Sequence, residues 1–175
     1  ILLSPEEIAA TVDRMAAEIQ ATYENNNRRL VMVVILKGSM LFASDLAKRI
    51  NLPLEIEFMK VSSYGAGTST SGRVNIMLDL YRNDLNDVDI IIVEDIIDSG
   101  KTLSYLCEYL MLKGANSVRT CTMLDKPSRR QVDFNADYVG REIPDAFVVG
   151  YGLDYDEKYR NLPYVGILDP KVYSN

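Results

Sequence analysis

The apolar positions of the chain fall into short blocks whose spacing alternates between that of helices and that of strands. From Ile8 to Ile19, apolar residues recur every three or four positions, which is the period of a helix with one buried face. Ser4 and Glu7 stand three residues apart just before this block, as the two halves of a capping box do. The pattern therefore predicts a helix that begins near Ser4.

Four further blocks have the patterns of strands. The run LVMVVIL at 30–36 is apolar at every position, as in a strand that is buried on both faces. Residues 87–95, with the apolar run IIIV at their centre, are predicted as another buried strand. Residues 54–64 and 73–80 instead alternate apolar and polar side chains. These blocks predict two central strands and two strands that are less deeply buried.

Helical spacing returns between these strands and after them. Helices are predicted at 40–50 and 102–114, and the second is predicted to bury Leu103, Leu106, Leu110 and Met111. A strand–helix-like succession is then predicted from the apolar segments at 117–124, 137–143 and 146–152, with a turn at DKPSRR after the first of them. Strands that alternate with helices predict an α/β fold, with a mainly parallel sheet covered on both sides. Ligands of such sheets bind at the carboxyl ends of the strands, where the chain carries LKGS, VEDIIDSGKT, DKP and VVGYGLDYD.

Composition narrows the class of protein. The 175 residues, 47% of them hydrophobic, predict one domain that spans 1–175. The net charge of −6 argues against a nucleic-acid-binding surface, and no apolar run approaches the roughly 18 residues of a membrane span. Cys107 and Cys121 lie within apolar patterns, so we expect no disulfide and a cytoplasmic location.

The chain contains no histidine. This excludes hydrolases that use a Ser-His-Asp or Cys-His arrangement, and it excludes zinc sites with imidazole ligands. Acid–base and metal chemistry must therefore come from carboxylates, lysines or tyrosines.

The segment VEDIIDSGKT at 93–102 places three acids beside a loop that is suited to anions. It is not a P-loop, because the first glycine of that motif would fall at Asp95. One interpretation is structural: Asp98 or Ser99 caps the following helix, while Glu94 and Asp95 face solvent. A ligand with both phosphate and sugar hydroxyls explains all three acids. Backbone amides of 99–102 would hold the phosphate, Glu94 and Asp95 would accept from ribose hydroxyls, and Mg²⁺ would offset the repulsion.

VEDIIDSGKT closely resembles the 5-phosphoribosyl-1-pyrophosphate (PRPP) signature of the type I phosphoribosyltransferases. LKGS, SSYG, DKP and EIPDAFVVGYGLDYDEKYRNLP are similar to the hypoxanthine-guanine branch of that family, and the likeness covers essentially the whole chain. The resemblance implies a central, mainly parallel sheet flanked by helices, with a small hood formed by the chain termini. It also implies purine salvage: transfer of the phosphoribosyl group to N9 of hypoxanthine, with guanine as the expected second base. Mg²⁺ as cofactor and a homodimer or homotetramer are implied as well.

The resemblance also implies a role for each site residue. Glu94 and Asp95 match the ligands of the ribose hydroxyls, and Asp98 matches the general base near purine N7. The 5′-phosphate loop matches Ser99, Gly100, Lys101 and Thr102. Glu94, Asp95 and Asp154 match the carboxylates associated with metal.

The remaining roles concern pyrophosphate and the purine. Lys37, Gly38 and Arg160 match the pyrophosphate site, and a cis peptide is implied between Leu36 and Lys37. The alternative for LKGS is an ordinary turn capped by Ser39, and the alternative for Arg160 is a surface charge. The purine site matches Lys126 at the 6-oxo group, Phe147 by stacking, Val148 through its backbone and Asp154 at the base edge. The alternatives are a solvated lysine at Lys126 and core packing at Phe147.

Two alternatives concern larger parts of the molecule. Residues 64–72 are rich in Gly, Ser and Thr, and Ser63 and Tyr64 match the closing-loop dipeptide of the family, so a flexible lid is expected rather than a plain connection. Lys60 and Ser62 depart from the animal pattern of that loop. A non-catalytic regulator that senses PRPP or nucleotides on the same fold is the alternative function, and the acidic balance argues against it.

Overall fold

The apolar strand blocks lie side by side in one sheet. The structure, a computed structural model, describes residues 1–63, 74–82 and 84–174. Its strands are β1 (Arg29–Leu36), β2 (Glu55–Ser63), β3 (Val74–Leu78), β4 (Val88–Ile97), β5 (Ser117–Asp125), β6 (Tyr138–Glu142), β7 (Val148–Val149) and β8 (Gly166–Ile167). Its helices are α1 (Pro5–Tyr23), α2 (Met40–Arg49) and α3 (Lys101–Leu112). The predicted lid at 64–72 lies outside the described residues.

Six strands form the central sheet in the order β3-β2-β1-β4-β5-β6. All neighbouring pairs are parallel except β2 and β3, which are antiparallel. The chain moves outward in one direction after β1 and in the other after β4, so the strand order reverses between these two strands. A reversal of this kind opens a crevice at the carboxyl ends of the two strands. The prediction of a mainly parallel sheet is confirmed.

Helices cover both faces of the sheet, and the central strands alternate between the two cores. In β4, Ile91 and Val93 pack in the core that contains α1 and α2, whereas Ile90 and Ile92 pack in the core that contains α3. A strand buried on both faces has no solvent-facing position, which explains the apolar run from Ile90 to Val93. The flanking helices confirm this part of the predicted fold class.

The predicted start of α1 is confirmed. Ser4 Oγ accepts a hydrogen bond from the Glu7 amide (3.1 Å), and Glu7 Oε1 accepts one from the Ser4 amide (3.3 Å). The apolar stripe from Ile8 to Ile19 is buried against the sheet. Capping therefore fixes where the helix begins, and burial fixes which face points inward.

The inward face of α3 was predicted correctly except at one position. Leu103, Leu106 and Leu110 are buried, whereas Met111 is about half exposed. Met111 follows Leu110 directly, and one residue of helix turns the side chain by about 100° away from the buried stripe. The prediction of a buried Met111 is therefore wrong.

The part of the chain after β5 differs in part from the predicted succession. The predicted turn at DKPSRR is confirmed, since this segment forms a short 3-10 turn (Pro127–Arg129). This segment is mostly polar and offers no helical apolar stripe that could pack on the sheet. The segment 146–152 was predicted beside the parallel strands, but β7 instead pairs with β8 in a separate two-stranded sheet.

The chain ends meet around this second sheet. The amides of Leu2 and Leu3 donate to the Val165 carbonyl (2.8 and 3.0 Å), which places the N-terminus beside β8. The Tyr151 hydroxyl donates to Asp45 Oδ2 (2.6 Å) and so ties this region to α2. We call residues 1–3 together with β7 and β8 the hood, which agrees with the predicted hood from the termini.

Two smaller expectations can be compared with the described residues. Cys107 and Cys121 are both free, as predicted. Within the described ranges, no helix combines the length and hydropathy that a bilayer crossing would need.

The two neighbouring leucines of α3 provide a test of this packing. Leu110 is fully buried and Leu112 is 88% exposed on the same helix. We expect Leu110→Ala to lower the free energy of unfolding by about 2–5 kcal/mol through the cavity it leaves. The control Leu112→Ala should change it by less than about 0.5 kcal/mol. Urea unfolding followed by circular dichroism measures both, and equal effects would contradict the assigned helix face.

Candidate active site

The crevice between β1 and β4 brings together two of the predicted motifs. The strands are parallel and in register, with Val34 beside Val93. The LKGS turn follows β1, and the acids of VEDIIDSGKT occupy the last residues of β4. Two segments that are more than 50 residues apart in sequence therefore form one wall of the site.

Glu94 and Asp95 are partly buried at this point. Glu94 Oε1 accepts hydrogen bonds from Ser39 Oγ (3.2 Å) and from the Asp95 amide (3.1 Å), and Asp95 Oδ1 accepts one from the Ile96 amide (2.7 Å). Burial raises the pKa of Glu94 well above its ordinary value, and the neighbouring Asp95 carboxylate raises it further. Burial also raises the pKa of Asp95, although Arg160 opposes the shift. The pair therefore favours a partner that supplies hydrogen-bond donors or positive charge.

Two glycines make room for the Asp95 carboxylate. A Cβ atom on Gly38 would lie 1.8 Å from Asp95 Oδ2, so no larger residue fits there while Asp95 keeps its place. Gly152 packs on the other side of the LKGS turn, where a Cβ atom would lie 2.1 Å from the Gly38 carbonyl oxygen. The peptide between Leu36 and Lys37 is cis, as the resemblance implied. Ser39 precedes α2 but does not cap it with its side chain, because its hydroxyl binds Glu94.

The end of β4, the loop after it and the start of α3 line a cavity of about 220 Å³. Gly100 has a φ of 84°, and the helix α3 begins directly after it. The Lys101 amide donates to Ser99 Oγ (3.2 Å), whereas Asp98 makes no cap of this helix. The structural interpretation of Asp98 as a cap is therefore wrong. The N-terminus of α3 offers backbone amides and a positive dipole end to an anion in the cavity, which also involves Thr102.

Lys126 lies beside Asp98 rather than in solvent. Its side chain is 12% exposed, and its Nζ lies 4.0 Å from Asp98 Oδ1, whose own side chain is mostly exposed. Sequence alone favoured a solvated lysine at the end of β5, and that alternative is wrong. The two residues assigned to the purine by resemblance therefore lie beside each other, and Asp98 lines the cavity.

Arg130 is a site residue that the sequence did not single out. Its Nη1 donates to the Asp98 carbonyl (2.9 Å), and its Nη2 donates to the buried carboxylate of Asp125 (2.7 Å). Arg130 thus connects the end of β5 with the loop that carries Asp98. Only its place in the charged turn DKPSRR could have indicated this role.

Phe147 is placed at the edge of the hood and is not part of the core. It is 40% exposed, although Val148 beside it is buried. Its ring stacks on Tyr173 (centroids 5.0 Å apart) and meets Tyr155 edge-on (5.8 Å). The core-packing alternative for Phe147 is therefore wrong, and an aromatic surface is available for stacking.

The loop after β7 holds the two remaining charged residues of the prediction. Arg160 Nη1 donates to the Gly152 carbonyl (2.7 Å), and Arg160 Nη2 lies 3.5 Å from Asp154 Oδ1. Glu157, which the sequence did not single out, contacts both Arg160 and Lys37. Arg160 is therefore part of the site network and not a solvated surface charge.

The resemblance assigns the three carboxylates to two ions, with Asp154 at a second magnesium. Among the described residues, no group of three or more Asp, Glu or Cys side chains is arranged so that it could hold a metal ion. Asp154 instead lies beside Arg160 and accepts from the Glu157 amide (2.9 Å). Any metal here would need ligands from the substrate or from water in addition to a protein carboxylate.

A larger cavity of about 300 Å³ lies at the opposite end of the sheet, beside the starts of β1 and β2. Arg29 and Glu55, which line it, form an ion pair with each other (2.6 Å). Parallel sheets bind ligands at the carboxyl ends of their strands, and the predicted site residues all lie elsewhere. The smaller cavity at the end of β4 is therefore the candidate active site.

Comparison with known proteins identifies the family. The profile of the phosphoribosyl transferase domain matches residues 2–156. The chain belongs to the phosphoribosyl transferase family. This confirms the resemblance noted for VEDIIDSGKT, which forms the end of β4 and the start of α3 in the structure.

Relatives and solved structures within the family extend over the whole chain. The hypoxanthine-guanine phosphoribosyltransferase of Bacillus subtilis is 50% identical over 175 residues, which cover 100% of this chain and 96% of that protein. A solved hypoxanthine phosphoribosyltransferase of Staphylococcus aureus is 49% identical, with a TM-score of 0.94 over 100% of this chain and 94% of that one. A Trypanosoma cruzi structure, from work on how the C-terminal region affects oligomeric state and enzymatic activity, is 40% identical with a TM-score of 0.93; the match covers 99% of this chain and 92% of that one.

The raised pKa of Glu94 predicts a pH dependence of stability. Because the folded chain holds a proton on Glu94 above its ordinary pKa of 4.5, it binds more protons than the unfolded chain, and stability falls as pH rises. Glu94→Gln removes this titration. Between about pH 5 and about pH 8, its free energy of unfolding should therefore fall less than that of the wild type.

Urea unfolding in buffer with EDTA measures this difference without interference from metal. Glu108→Gln, a change at an exposed acid of α3, is the matched control and should follow the wild type. Identical pH dependence in Glu94→Gln and the wild type would contradict the assigned burial of the acid pair.

Proposed function

We propose that this protein transfers the phosphoribosyl group of PRPP to N9 of hypoxanthine and of guanine, releasing pyrophosphate. The observation that carries the proposal is that paired acids and a helix N-terminus suited to phosphate meet at the end of β4, with a largely buried lysine beside Asp98. Relatives named as hypoxanthine-guanine phosphoribosyltransferases support the same reaction and substrates. They offer no support for a non-catalytic regulator.

In the proposed reaction the protein mainly positions its substrates. Glu94 and Asp95 accept hydrogen bonds from the ribose hydroxyls, and the amides of 99–102 at the start of α3 bind the 5′-phosphate. The displacement at the anomeric carbon passes through an oxocarbenium-like state, as other glycosyl transfers do. Correct placement of the base and the sugar contributes most of the rate acceleration in such a site.

The purine is proposed to lie between Phe147 and the end of β5. Lys126 donates to the 6-oxo group, and the Val148 backbone and Asp154 contact the edge of the base. Asp98 lies close enough to Lys126 for both side chains to contact the same purine. Asp98 assists proton transfer at N7 of that purine. Arg130 holds the backbone of Asp98 in place through the Asp98 carbonyl.

The donor set fits a magnesium ion that is held largely by the substrate. Mg²⁺ typically takes one or two carboxylates together with phosphate oxygens and water, and Glu94 and Asp95 are adjacent acids whose raised pKa values favour a nearby cation. When bound, the ion would neutralise charge on the leaving pyrophosphate. Lys37, the amide of Gly38 and Arg160 are proposed to bind the same leaving group.

Three wider features belong to the same proposal. The free thiols Cys107 and Cys121 are consistent with a reducing, cytoplasmic setting. A homodimer or homotetramer is proposed because oligomeric state is a property studied in the Trypanosoma cruzi relative. One domain over 1–175 is proposed because the larger core cluster contains residues from Leu3 to Val165.

The choice of base provides the test of the proposed function. The ammonium group of Lys126 has only donors, so it pairs with the 6-oxo acceptor of hypoxanthine or guanine but not with the 6-amino group of adenine. We expect kcat/KM for adenine to be lower by about 10⁴-fold or more. Lys126→Gln, which can donate and accept, should reduce this discrimination mainly by impairing the 6-oxopurines.

Steady-state assays with PRPP, MgCl₂ and each base measure these ratios. Lys48→Gln, a change at an exposed lysine of α2, is the control and should behave as the wild type does. Absence of turnover with hypoxanthine and guanine would contradict the proposed reaction. Adenine activity within about tenfold of hypoxanthine activity on the wild type would overturn the role of Lys126.

A further inference from the structure

One carboxylate joins the two side-chain cations assigned to pyrophosphate. Glu157 Oε2 accepts a hydrogen bond from Lys37 Nζ (3.0 Å), and Glu157 Oε1 accepts one from Arg160 Nη2 (3.2 Å). Lys37 follows β1, whereas Arg160 lies 123 residues later in the loop after β7. A single acid therefore bridges two distant segments at the point where an anionic group of the substrate is expected.

The backbone conformation of the turn places the Glu157 side chain beside Lys37 and Arg160. Asp156, Glu157 and Tyr159 all have positive φ angles (52°, 66° and 78°), which non-glycine residues seldom adopt. The Glu157 amide donates to Asp154 Oδ2 (2.9 Å), which anchors the turn. Such conformations persist only where the surrounding structure holds them, and they concentrate at functional sites.

Arg160 retains a donor that could bind an anion. Its Nε is buried and has no hydrogen-bond acceptor among the described residues. Its Nη1 already binds the Gly152 carbonyl, and its Nη2 binds Glu157. A buried donor without a partner is costly, and an anion with several oxygens could satisfy it together with Nη2.

We propose that Glu157 occupies the place of the pyrophosphate group in the ligand-free protein and is displaced when a pyrophosphate-bearing ligand binds. This inference rests on the proposed function, because it assigns Lys37 and Arg160 to that group. Glu157 is then a positioning residue: it holds the two cations in place and competes with the ligand for them. The competition weakens pyrophosphate binding and so favours release of the product.

The exchange is physically reasonable because the contacts are exposed and the competitor is more highly charged. The side chains of Glu157 and Lys37 are 64% and 52% exposed, and ion pairs of this kind contribute little to stability. Lys37 and Arg160 lower the pKa of Glu157, so its carboxylate stays ionised at neutral pH. Pyrophosphate carries several negative charges against the single charge of Glu157 and can therefore replace it.

The test compares pyrophosphate binding in Glu157→Gln and in the wild type. Isothermal titration calorimetry with inorganic pyrophosphate and MgCl₂ measures binding without any need for turnover. Removing the competing charge should tighten binding by about 3–10-fold, the range expected for the loss of one or two exposed ion pairs. The matched control Asp156→Asn removes a neighbouring acid at a backbone angle that Asn tolerates, and it should leave the affinity unchanged.

Steady-state kinetics separate this role from a merely structural one. Glu157→Gln should lower the KM for PRPP and the inhibition constant of pyrophosphate while leaving the KM for hypoxanthine unchanged. Equal or weaker pyrophosphate binding in Glu157→Gln, or an equal gain in Asp156→Asn, would overturn the inference. If the wild type neither turns over PRPP nor binds pyrophosphate, the proposed function fails instead, so the two failures are distinguishable.

Discussion

Two adjacent carboxylates, Glu94 and Asp95, are held at the end of a central buried strand, and most of the site is arranged around them. Burial raises the pKa of both acids because it disfavours their charged forms, and the Asp95 carboxylate raises the pKa of Glu94 further. The Asp95 carboxylate lies so close to the backbone of Gly38 that this position has no room for a side chain. The same constraint extends to Gly152, which packs against the other side of that turn.

Positive charge is distributed around this pair and does not neutralise it directly. Arg160 offsets part of the shift at Asp95 but is itself bound to Gly152, Asp154 and Glu157. On the other side, Arg130 binds the carbonyl of Asp98 and the carboxylate of Asp125. The acid pair thus keeps its capacity to accept hydrogen bonds from a ligand, while the nearby cations remain in position for anionic groups.

Local sequence signals were sufficient for much of the fold and for the centre of the site. The capping box at Ser4 and the apolar runs of β1 and β4 are local features, and they predicted the helix and the central strands correctly. The acids and the phosphate loop lie within ten consecutive residues, so one strand–turn–helix unit places them together. The resemblance of this segment to a family signature supplied the individual roles.

Features that depend on distant contacts could not be predicted from the sequence. The contact of Lys126 with Asp98 arises only when the loops after β4 and β5 meet, and the bridge from Glu157 to Lys37 only when the loops after β1 and β7 meet. The pairing of β7 with β8 outside the main sheet was missed because its short apolar run has the same pattern as a strand of the parallel sheet. Met111 was misplaced because a single helical position separates the buried stripe from the exposed face.

The central claim is that Glu94 and Asp95 bind the hydroxyls of a ribose phosphate. The most direct measurement is the affinity of the protein for inosine monophosphate compared with its 2′,3′-dideoxy analogue, by calorimetry under the same buffer conditions. The dideoxy analogue keeps the base and the phosphate and lacks only the two hydroxyls. Loss of the two hydrogen bonds to these acids predicts that it binds at least about tenfold more weakly. Equal affinity for the two nucleotides would contradict the account.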